Sequence, residues 1–256
     1  MNLEKIISIR KKLNNNKVTI GSWMQISNSS IAEIMGFAGY DWIAIDLEHG
    51  SISIGELPNI FRAIELGDTL PLARIAQGSP KDCKQALDAG AGGIIVPMIE
   101  SAKELTILRD ASRWPPAGKR GVGYSRANLF GKKFNDYLKE AQAPLLIAQI
   151  ENINAIDNLE EILKVEGLDA IMIGPYDLSA SMGITAEFDN KEFIMAMDKI
   201  LSLCNQYNVP CGDHVVQPDP KLLEKRIQNG YRFLAYSADA IFLNNIANCP
   251  IIKKER

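Results

Sequence analysis

The sequence has little of what marks secreted, zinc-binding or membrane proteins. Its four cysteines, Cys83, Cys204, Cys211 and Cys249, are scattered without short metal-type spacing. We expect them to be reduced thiols, which are usual in a cytoplasmic protein. The N-terminus shows no apolar run typical of a signal peptide. No apolar stretch approaches the roughly 18 residues of a membrane span. The predicted location is therefore cytoplasmic, with no membrane contact.

An excess of basic charge is also missing. The chain has 28 Lys and Arg against 31 Asp and Glu, a formal charge of −3. Nucleic-acid binders usually carry a basic surface, so we expect no nucleic-acid partner. The longest basic cluster is the tail Lys253, Lys254 and Arg256, which predicts a solvated C-terminus. The composition, with 46% hydrophobic and 23% charged residues, is typical of a globular protein.

Eight short apolar runs alternate with helical patterns. We predict strands at 18–23, 42–46, 70–74, 93–97, 145–150, 170–174, 211–216 and 232–236. Predicted helices cover 30–39, 56–66, 80–89, 101–112, 155–164, 190–207, 219–229 and 238–247, with an extra one at 3–13. This alternation implies a parallel sheet, and the chain's 256 residues suit an α/β (β/α)8 TIM barrel. An open sheet of six or seven strands is the alternative. We expect residues 1–256 to form one barrel domain with an extra N-terminal helix.

The long connection 114–144 is predicted to be a functional loop, because loops of that length are uncommon otherwise. Its segment 119–131 mixes basic, glycine and aromatic residues. That mixture suits a substrate loop or a subunit contact.

Polar residues follow the predicted strands at their carboxyl ends, where barrel enzymes place their chemistry. They are Asp46, His49, Arg74, Gln149, Glu151, Asp177, Asp213 and His214. No lysine lies within or at the end of a predicted strand. A Schiff-base aldolase needs such a lysine. Carbanion chemistry in this barrel would therefore depend on a metal ion.

Glu151 and Asp177 come just after neighbouring strands. Strands lie about 4.8 Å apart, so the two carboxylates could hold one hard divalent cation such as Mg²⁺. The alternative is that each carboxylate caps a helix or pairs with a base. Asp177 in particular could be an N-cap.

His49 is one of only two histidines, and Asp46 could orient its imidazole as a general base. A structural role is the alternative for a lone histidine. Arg74 is the only arginine that ends a predicted strand, and its planar fork suits a carboxylate or oxo-acid ligand. A buried ion pair with a neighbouring carboxylate would explain it equally well.

Two further positions leave their roles open. Trp23 at the end of the first strand could wall the pocket or plug the barrel. Asp213 and His214 are adjacent, so only one of the two can point into the barrel. If it is His214, its imidazole could bind a hydroxyl of the substrate.

Several motifs occur in order: DWIAIDLEHG, PLAR, GAGG with a following VPM, PPAGKRGVG, QIEN and GPYDLSASMG. From about Gly21 to Phe242 the chain resembles the HpcH/HpaI aldolase family. The resemblance implies a (β/α)8 barrel acting as a class II pyruvate aldolase that uses a divalent metal ion (Mg²⁺, Mn²⁺ or Co²⁺). It also implies a homo-hexamer, a trimer of dimers whose paired subunits exchange a C-terminal helix.

By motif position, the resemblance implies that Glu151 and Asp177 are the metal ligands and that His49 is the base, with Asp46 as its partner. Arg74 would bind pyruvate and its enolate. Gln149 would contact the substrate, and Gly174 and Pro175 would shape the oxo-acid pocket.

The expected reaction is reversible cleavage of a 4-hydroxy-2-oxo acid, such as a 2-keto-3-deoxy sugar acid, to pyruvate and an aldehyde. RANLFG after RGVG resembles the sugar-acid aldolases, whereas CGDHVVQPDP, with His214, departs from the apolar segment of the homoprotocatechuate-pathway enzymes. The alternatives are a citrate-lyase-like CoA-thioester lyase and a catalytically silent barrel used as a binding protein.

Overall fold

The computed structural model describes residues 2–247. Cys249 and the basic tail at 253–256 lie outside the described residues. The other three cysteines, Cys83, Cys204 and Cys211, are buried and unpaired, as expected for reduced thiols.

The strands form a closed barrel in the order β1 to β8, in which each strand pairs with its neighbour in sequence and β8 closes on β1. Every pairing is parallel. The strands are β1 (Thr19–Met24), β2 (Trp42–Asp46), β3 (Leu70–Arg74), β4 (Gly93–Val96), β5 (Leu145–Ile150), β6 (Ala170–Ile173), β7 (Cys211–Val215) and β8 (Phe233–Ala238). The predicted barrel is confirmed, and the open sheet is excluded.

The helices connect the strands. They are α1 (Leu3–Asn14), α2 (Ser29–Gly36), α3 (Leu57–Leu66), α4 (Pro80–Ala89), α5 (Ala102–Ser112), α6 (Phe134–Gln142), α7 (Ile153–Asp157), α8 (Leu159–Leu163), α9 (Pro175–Ser181), α10 (Lys191–Tyr207), α11 (Pro220–Gln228) and α12 (Asp239–Ile246). Local capping fixes several starts. For example, Ser101 and Glu104 form a reciprocal capping box at the start of α5.

Three connections differ from prediction. The connection 114–144 contains a 3₁₀ helix (Arg126–Gly131) and α6, so it is not a plain loop. The helix predicted at 155–164 is divided into α7 and α8. α9 was not predicted, because glycine and proline open it; Pro175 occupies a first-turn position where its missing N–H has no cost.

The extra N-terminal helix plugs the amino end of the barrel. Its buried residues Ile6, Ile9 and Leu13 belong to one cluster with Trp42, Leu70, Leu145 and Phe233, the first residues of four strands. The Trp42 and Phe233 rings stack with centroids 4.4 Å apart. Gly21 leaves room for this layer, since a Cβ there would lie 2.1 Å from Trp42. This end of the barrel is therefore filled, and the opposite end is free for a site.

Alternation along each strand sets which side chains point inward. Ala44, Leu72 and Ile147 belong to the cluster inside the barrel, whereas Ile43 and Ile45 belong to the layer between strands and helices. Successive side chains point to opposite faces of a strand. The rows through Ala44, Leu72 and Ile147 end in Asp46, Arg74 and Gln149 respectively, which is why three polar groups enter the carboxyl end of the barrel.

None of the helices formed by residues 2–247 has the length and apolar character needed to cross a membrane. This agrees with the sequence, which shows no apolar run of that length.

Candidate active site

A cavity of about 360 Å³ opens at the carboxyl ends of the strands. Nine of the ten predicted site residues line it: Trp23, Asp46, His49, Arg74, Gln149, Gly174, Pro175, Asp177 and His214. The tenth, Glu151, lies beneath Gly174. Further lining residues that the sequence reasoning missed are Gln25, Met172, Ile173, Tyr176, Val216, Ala238 and Ile241.

Arg74 and Asp46 form a bidentate pair across β2 and β3, which are in register at these two residues. Arg74 Nε donates to Asp46 Oδ1 at 3.0 Å, and Nη2 donates to Oδ2 at 2.6 Å. Burial opposes ionisation of Asp46, but the hydrogen bonds and charge of Arg74 outweigh it, so the pKa of Asp46 lies below its ordinary value. The ion pair expected as an alternative for Arg74 is therefore present, and Arg74 also lines the cavity.

The Arg74 guanidinium is held on two further sides. Its Nη1 lies 3.2 Å from Glu48 Oε2, and its central carbon lies 4.6 Å from the centroid of the Trp23 ring. A planar fork fixed in this way is preorganised to meet a planar carboxylate or enolate. Trp23 thus walls the cavity and supports Arg74.

Asp46 contacts His49 through the backbone and not through the imidazole. Asp46 Oδ1 accepts from the backbone N–H groups of Glu48 and His49, both at 3.1 Å. The ring of His49 makes no hydrogen bond with any residue in the range 2–247, and it is exposed at the cavity. The expectation that Asp46 orients the imidazole is therefore replaced by a narrower role, in which Asp46 fixes the loop that carries His49.

Gln25 completes the coordination of Asp46, donating from Nε2 to Oδ2 at 2.9 Å. Its own backbone N–H donates to Asp239 Oδ1 at 2.8 Å. Sequence reasoning missed Gln25 because it lies just beyond β1. The sequence position of Gln25 could have indicated it, because Gln25 is two residues after Trp23 and residues two apart on a strand point to the same face.

Glu151 is a buried carboxylate at the end of β5, with only 2% of its surface exposed. Its Oε1 accepts from the backbone N–H of Met98 at 2.6 Å, and its Oε2 accepts from Gln149 Nε2 at 2.5 Å. Burial raises the pKa of Glu151 to about 7, with repulsion from Glu48 and Asp177 adding to the effect. No cationic side chain in the described structure pairs with this carboxylate.

Gly174 leaves the space that Glu151 occupies. A Cβ at this position would lie 2.4 Å from Glu151 Oε2 and 2.8 Å from Glu151 Cβ. We expect Gly174→Ala to lower the free energy of unfolding by about 1–3 kcal/mol, the usual cost of overpacking. Urea unfolding measures this. Gly123→Ala is the matched control, because nothing lies within 4 Å of the added carbon there; equal stability of the two variants would refute the close fit.

Asp177 is exposed in the first turn of α9, and the N-cap of that helix is Gly174. The alternative interpretation of Asp177 as an N-cap is therefore wrong.

The carboxylates at this end of the barrel repel one another. The pKa of Glu48 is raised by burial and by repulsion from Asp46 and Asp177. The three carboxylates Glu48, Glu151 and Asp177 thus act on one another at the cavity without a neutralising cation between Glu151 and Asp177.

This donor set fits a divalent cation held from one side. Gln149 Oε1 is a buried acceptor without a partner, beside the Glu151 carboxylate. Among residues 2–247 no three His, Cys, Asp or Glu side chains form a closed metal cage. Glu151 and Asp177 could therefore supply two ligands and leave the other positions to water and substrate, the arrangement typical of Mg²⁺.

In β7 the side chain of His214 points into the barrel and that of Asp213 points outward. His214 lines the cavity with its ring centroid 5.8 Å from that of Trp23. Asp213 Oδ2 lies 2.7 Å from Arg226 Nε on α11, outside the barrel. Of the two possibilities left open by the sequence, the structure selects His214 at the site.

Comparison with known proteins identifies the family of this chain. Residues 19–245 match the family described as HpcH/HpaI aldolase/citrate lyase. The chain belongs to this family. An HpcH/HpaI relative, the hydroxypyruvate/pyruvate aldolase of Roseobacter denitrificans, is 35% identical over 241 residues, covering 93% of each chain. The 2-keto-3-deoxy-L-rhamnonate aldolase of Shigella boydii is 33% identical, covering 92% of this chain and 88% of the relative.

A solved HpcH/HpaI structure extends the agreement to the whole fold. The crystal structure of a family protein from Burkholderia cenocepacia superposes with a TM-score of 0.88 at 31% identity, and covers 94% of this chain and 96% of that one. The barrel, including its closure, is thus the fold of this family.

Proposed function

We propose that the protein is a divalent-metal-dependent aldolase that reversibly cleaves a 4-hydroxy-2-oxo acid, of the 2-keto-3-deoxy acid class, into pyruvate and an aldehyde. The observation that carries this proposal is one cavity lined by the fixed Arg74 fork and the Asp177 carboxylate, with the carboxylate of Glu151, which has no cationic partner among residues 2–247, directly beneath its Gly174 wall. The names of the relatives, which are pyruvate and deoxy-sugar-acid aldolases, support it.

The pyruvyl part of the substrate belongs at the β3, β5 and β6 side of the cavity. Arg74 binds the oxo acid there, because two of its five N–H donors are engaged by Asp46 and others remain. Gln149 faces the same space from the end of β5. Gly174 and Pro175 shape the adjoining wall, since the backbone at the start of α9 carries no large side chain there.

Glu151 and Asp177 would hold the metal ion, Mg²⁺, Mn²⁺ or Co²⁺. When bound, such an ion supplies Lewis acidity to the carboxylate and 2-oxo groups of the substrate. The chain's own part is to place the carboxylates. Hydrogen bonds from Met98 and Gln149 hold the Glu151 carboxylate in position and oppose the rise in its pKa that burial causes.

In the cleavage direction, His49 takes the proton of the C4 hydroxyl as general base. The C4 oxygen then forms the aldehyde carbonyl, the C3–C4 bond breaks, and its electron pair passes to C3 to give the pyruvate enolate. Arg74 stabilises the negative charge that develops on the enolate oxygen, an electrostatic contribution that is usually large in enzymes. Protonation of C3 releases pyruvate.

The two alternatives have less support. A CoA-thioester lyase needs a basic groove for the CoA phosphates, whereas Arg74 is the only Lys or Arg among the described residues that line the cavity. A catalytically silent barrel gives no reason for an arginine, a histidine and two carboxylates to face one cavity.

The proposal is tested by pyruvate release from 4-hydroxy-2-oxopentanoate, followed with lactate dehydrogenase and NADH. We expect EDTA to abolish release and Mg²⁺, Mn²⁺ or Co²⁺ to restore it. Absence of pyruvate at every metal concentration, or release that EDTA does not affect, would refute the proposal. A parallel assay with malyl-CoA tests the thioester alternative, and activity there alone would favour it.

A further inference from the structure

His214 is the second histidine of the chain, and the bond-breaking step described above does not use it. Its ring lies on the β7 side of the cavity, and the apolar residues Val216, Ala238 and Ile241 of β7, β8 and α12 and their ends also line this cavity. Trp23 lies between His214 and Arg74, with its ring 5.8 Å from the imidazole and 4.6 Å from the guanidinium carbon. The imidazole is therefore a polar group in the apolar part of the cavity, one ring away from the oxo-acid anchor.

The orientation of this ring is fixed by a bulge between β1 and β8. Gly21 pairs with Ala235 and Trp23 pairs with Ala238, so Tyr236 and Ser237 both lie opposite Ser22. Ser237 has φ of 55°, a left-handed conformation that is rare for residues other than glycine. Bulges of this kind occur beside active sites, where they re-aim groups of the chain. Here the bulge presents the Ser237 carbonyl to the imidazole.

That carbonyl sets the tautomer of His214. The distance from His214 Nε2 to Ser237 O is 3.3 Å. Ser22 Oγ shares its one proton between Tyr236 O at 2.9 Å and this Ser237 O at 3.2 Å. Because a carbonyl oxygen can only accept, the proton of the imidazole resides on Nε2. Nδ1 then carries a lone pair, and no group within residues 2–247 donates a hydrogen bond to it.

The surroundings keep the imidazole neutral. Burial lowers the pKa of His214 to about 4 and outweighs the hydrogen bond to Ser237 O, which acts to raise it. The charge of Arg74 also lowers this pKa, and the charge of Asp46 raises it. At neutral pH the group is thus an acceptor at Nδ1 and cannot become a second donor there. A ligand that matches it must bring an O–H or N–H of its own.

We propose that His214 Nδ1 accepts a hydrogen bond from a hydroxyl group on the aldehyde half of the substrate, so that the enzyme selects hydroxylated aldehydes over alkyl ones. This inference rests on the proposed aldolase function and adds the substrate class for its second half. The proposal places the pyruvyl group at Arg74 and the remaining carbons along Trp23, whose ring lies 4.6 Å from the Arg74 guanidinium carbon and 5.8 Å from the His214 ring. A buried group built to bind a hydroxyl rejects the analogue that lacks it, because the group is then left unpaired.

The test is condensation of pyruvate with glycolaldehyde, methoxyacetaldehyde and acetaldehyde, compared by kcat/KM. Glycolaldehyde has a hydroxyl to donate, its methyl ether has an oxygen without a donor, and acetaldehyde has neither. We expect His214→Leu to reduce the glycolaldehyde-to-acetaldehyde ratio about tenfold, the effect of one lost neutral hydrogen bond. His214→Gln, which can place an amide oxygen near Nδ1, is expected to retain most of the preference.

The outcomes of these assays distinguish a failure of the His214 role from a failure of the aldolase function. If the wild-type protein forms no product from any aldehyde and exchanges no deuterium into the pyruvate methyl group, the aldolase function itself fails. If products form but His214→Leu leaves the ratio within twofold of wild type, only the inference is overturned. The inference is also overturned if the wild-type kcat/KM for methoxyacetaldehyde equals that for glycolaldehyde. This comparison uses only the wild-type protein, so it does not depend on the folding of a variant.

Discussion

Glu151→Gln is expected to weaken Mn²⁺ binding by more than about 100-fold, since replacing even the outer partners of metal ligands commonly costs 10- to 100-fold. The substitution removes the charge that a cation requires. It also places an NH₂ group where two donors already converge, because Met98 N–H and Gln149 Nε2 each donate to one carboxylate oxygen. One of these hydrogen bonds must therefore be lost as well.

Isothermal titration calorimetry with Mn²⁺ measures this loss directly, without depending on turnover. Glu33→Gln is the matched control, because Glu33 is an exposed carboxylate on α2, away from the cavity lining. The control should bind Mn²⁺ as the wild type does. Equal Mn²⁺ affinity of Glu151→Gln and wild type would remove Glu151 from the metal site, and thermal unfolding of both variants checks that they are folded.

The barrel and most of its site could be predicted because side chains alternate regularly between the two faces of a strand. Asp46 and Arg74 end apolar strands whose inward residues alternate with outward ones, so their entry into the barrel follows from the sequence once the strands are located. The same parity could not choose between Asp213 and His214. That choice depends on the register of β7 with β8, where His214 pairs with Ala235, and on Arg226 of α11, which takes the Asp213 charge outside.

Contacts between distant segments were the part that sequence patterns missed. Gln25 reaches Asp46 only because Asp239, at the start of α12, binds the backbone N–H groups of Gln25 and Ile26. The bulge at Ser237 depends on the pairing of the first and last strands. Neither arrangement has a local signal, because each is made by residues more than 200 positions apart.

His49→Ala and Arg74→Lys are expected to fail in different ways, and this difference tests their assigned roles. Without the imidazole, kcat for cleavage should fall about 10²- to 10⁴-fold, the usual contribution of a general base. Binding of pyruvate should change little, since the imidazole contacts neither Arg74 nor Glu151 through a hydrogen bond in the described structure.

Arg74→Lys should weaken pyruvate binding and lower kcat together. A lysine ammonium cannot reproduce the two parallel hydrogen bonds to Asp46 at 3.0 and 2.6 Å while also presenting donors to an enolate. Arg62→Lys, on the exposed face of α3, is the control for the same exchange elsewhere. Steady-state kinetics with pyruvate titrations separate the two effects. If His49→Ala kept the wild-type kcat at saturating metal, His49 would not be the base, and if Arg74→Lys changed only stability, Arg74 would be a structural ion-pair residue.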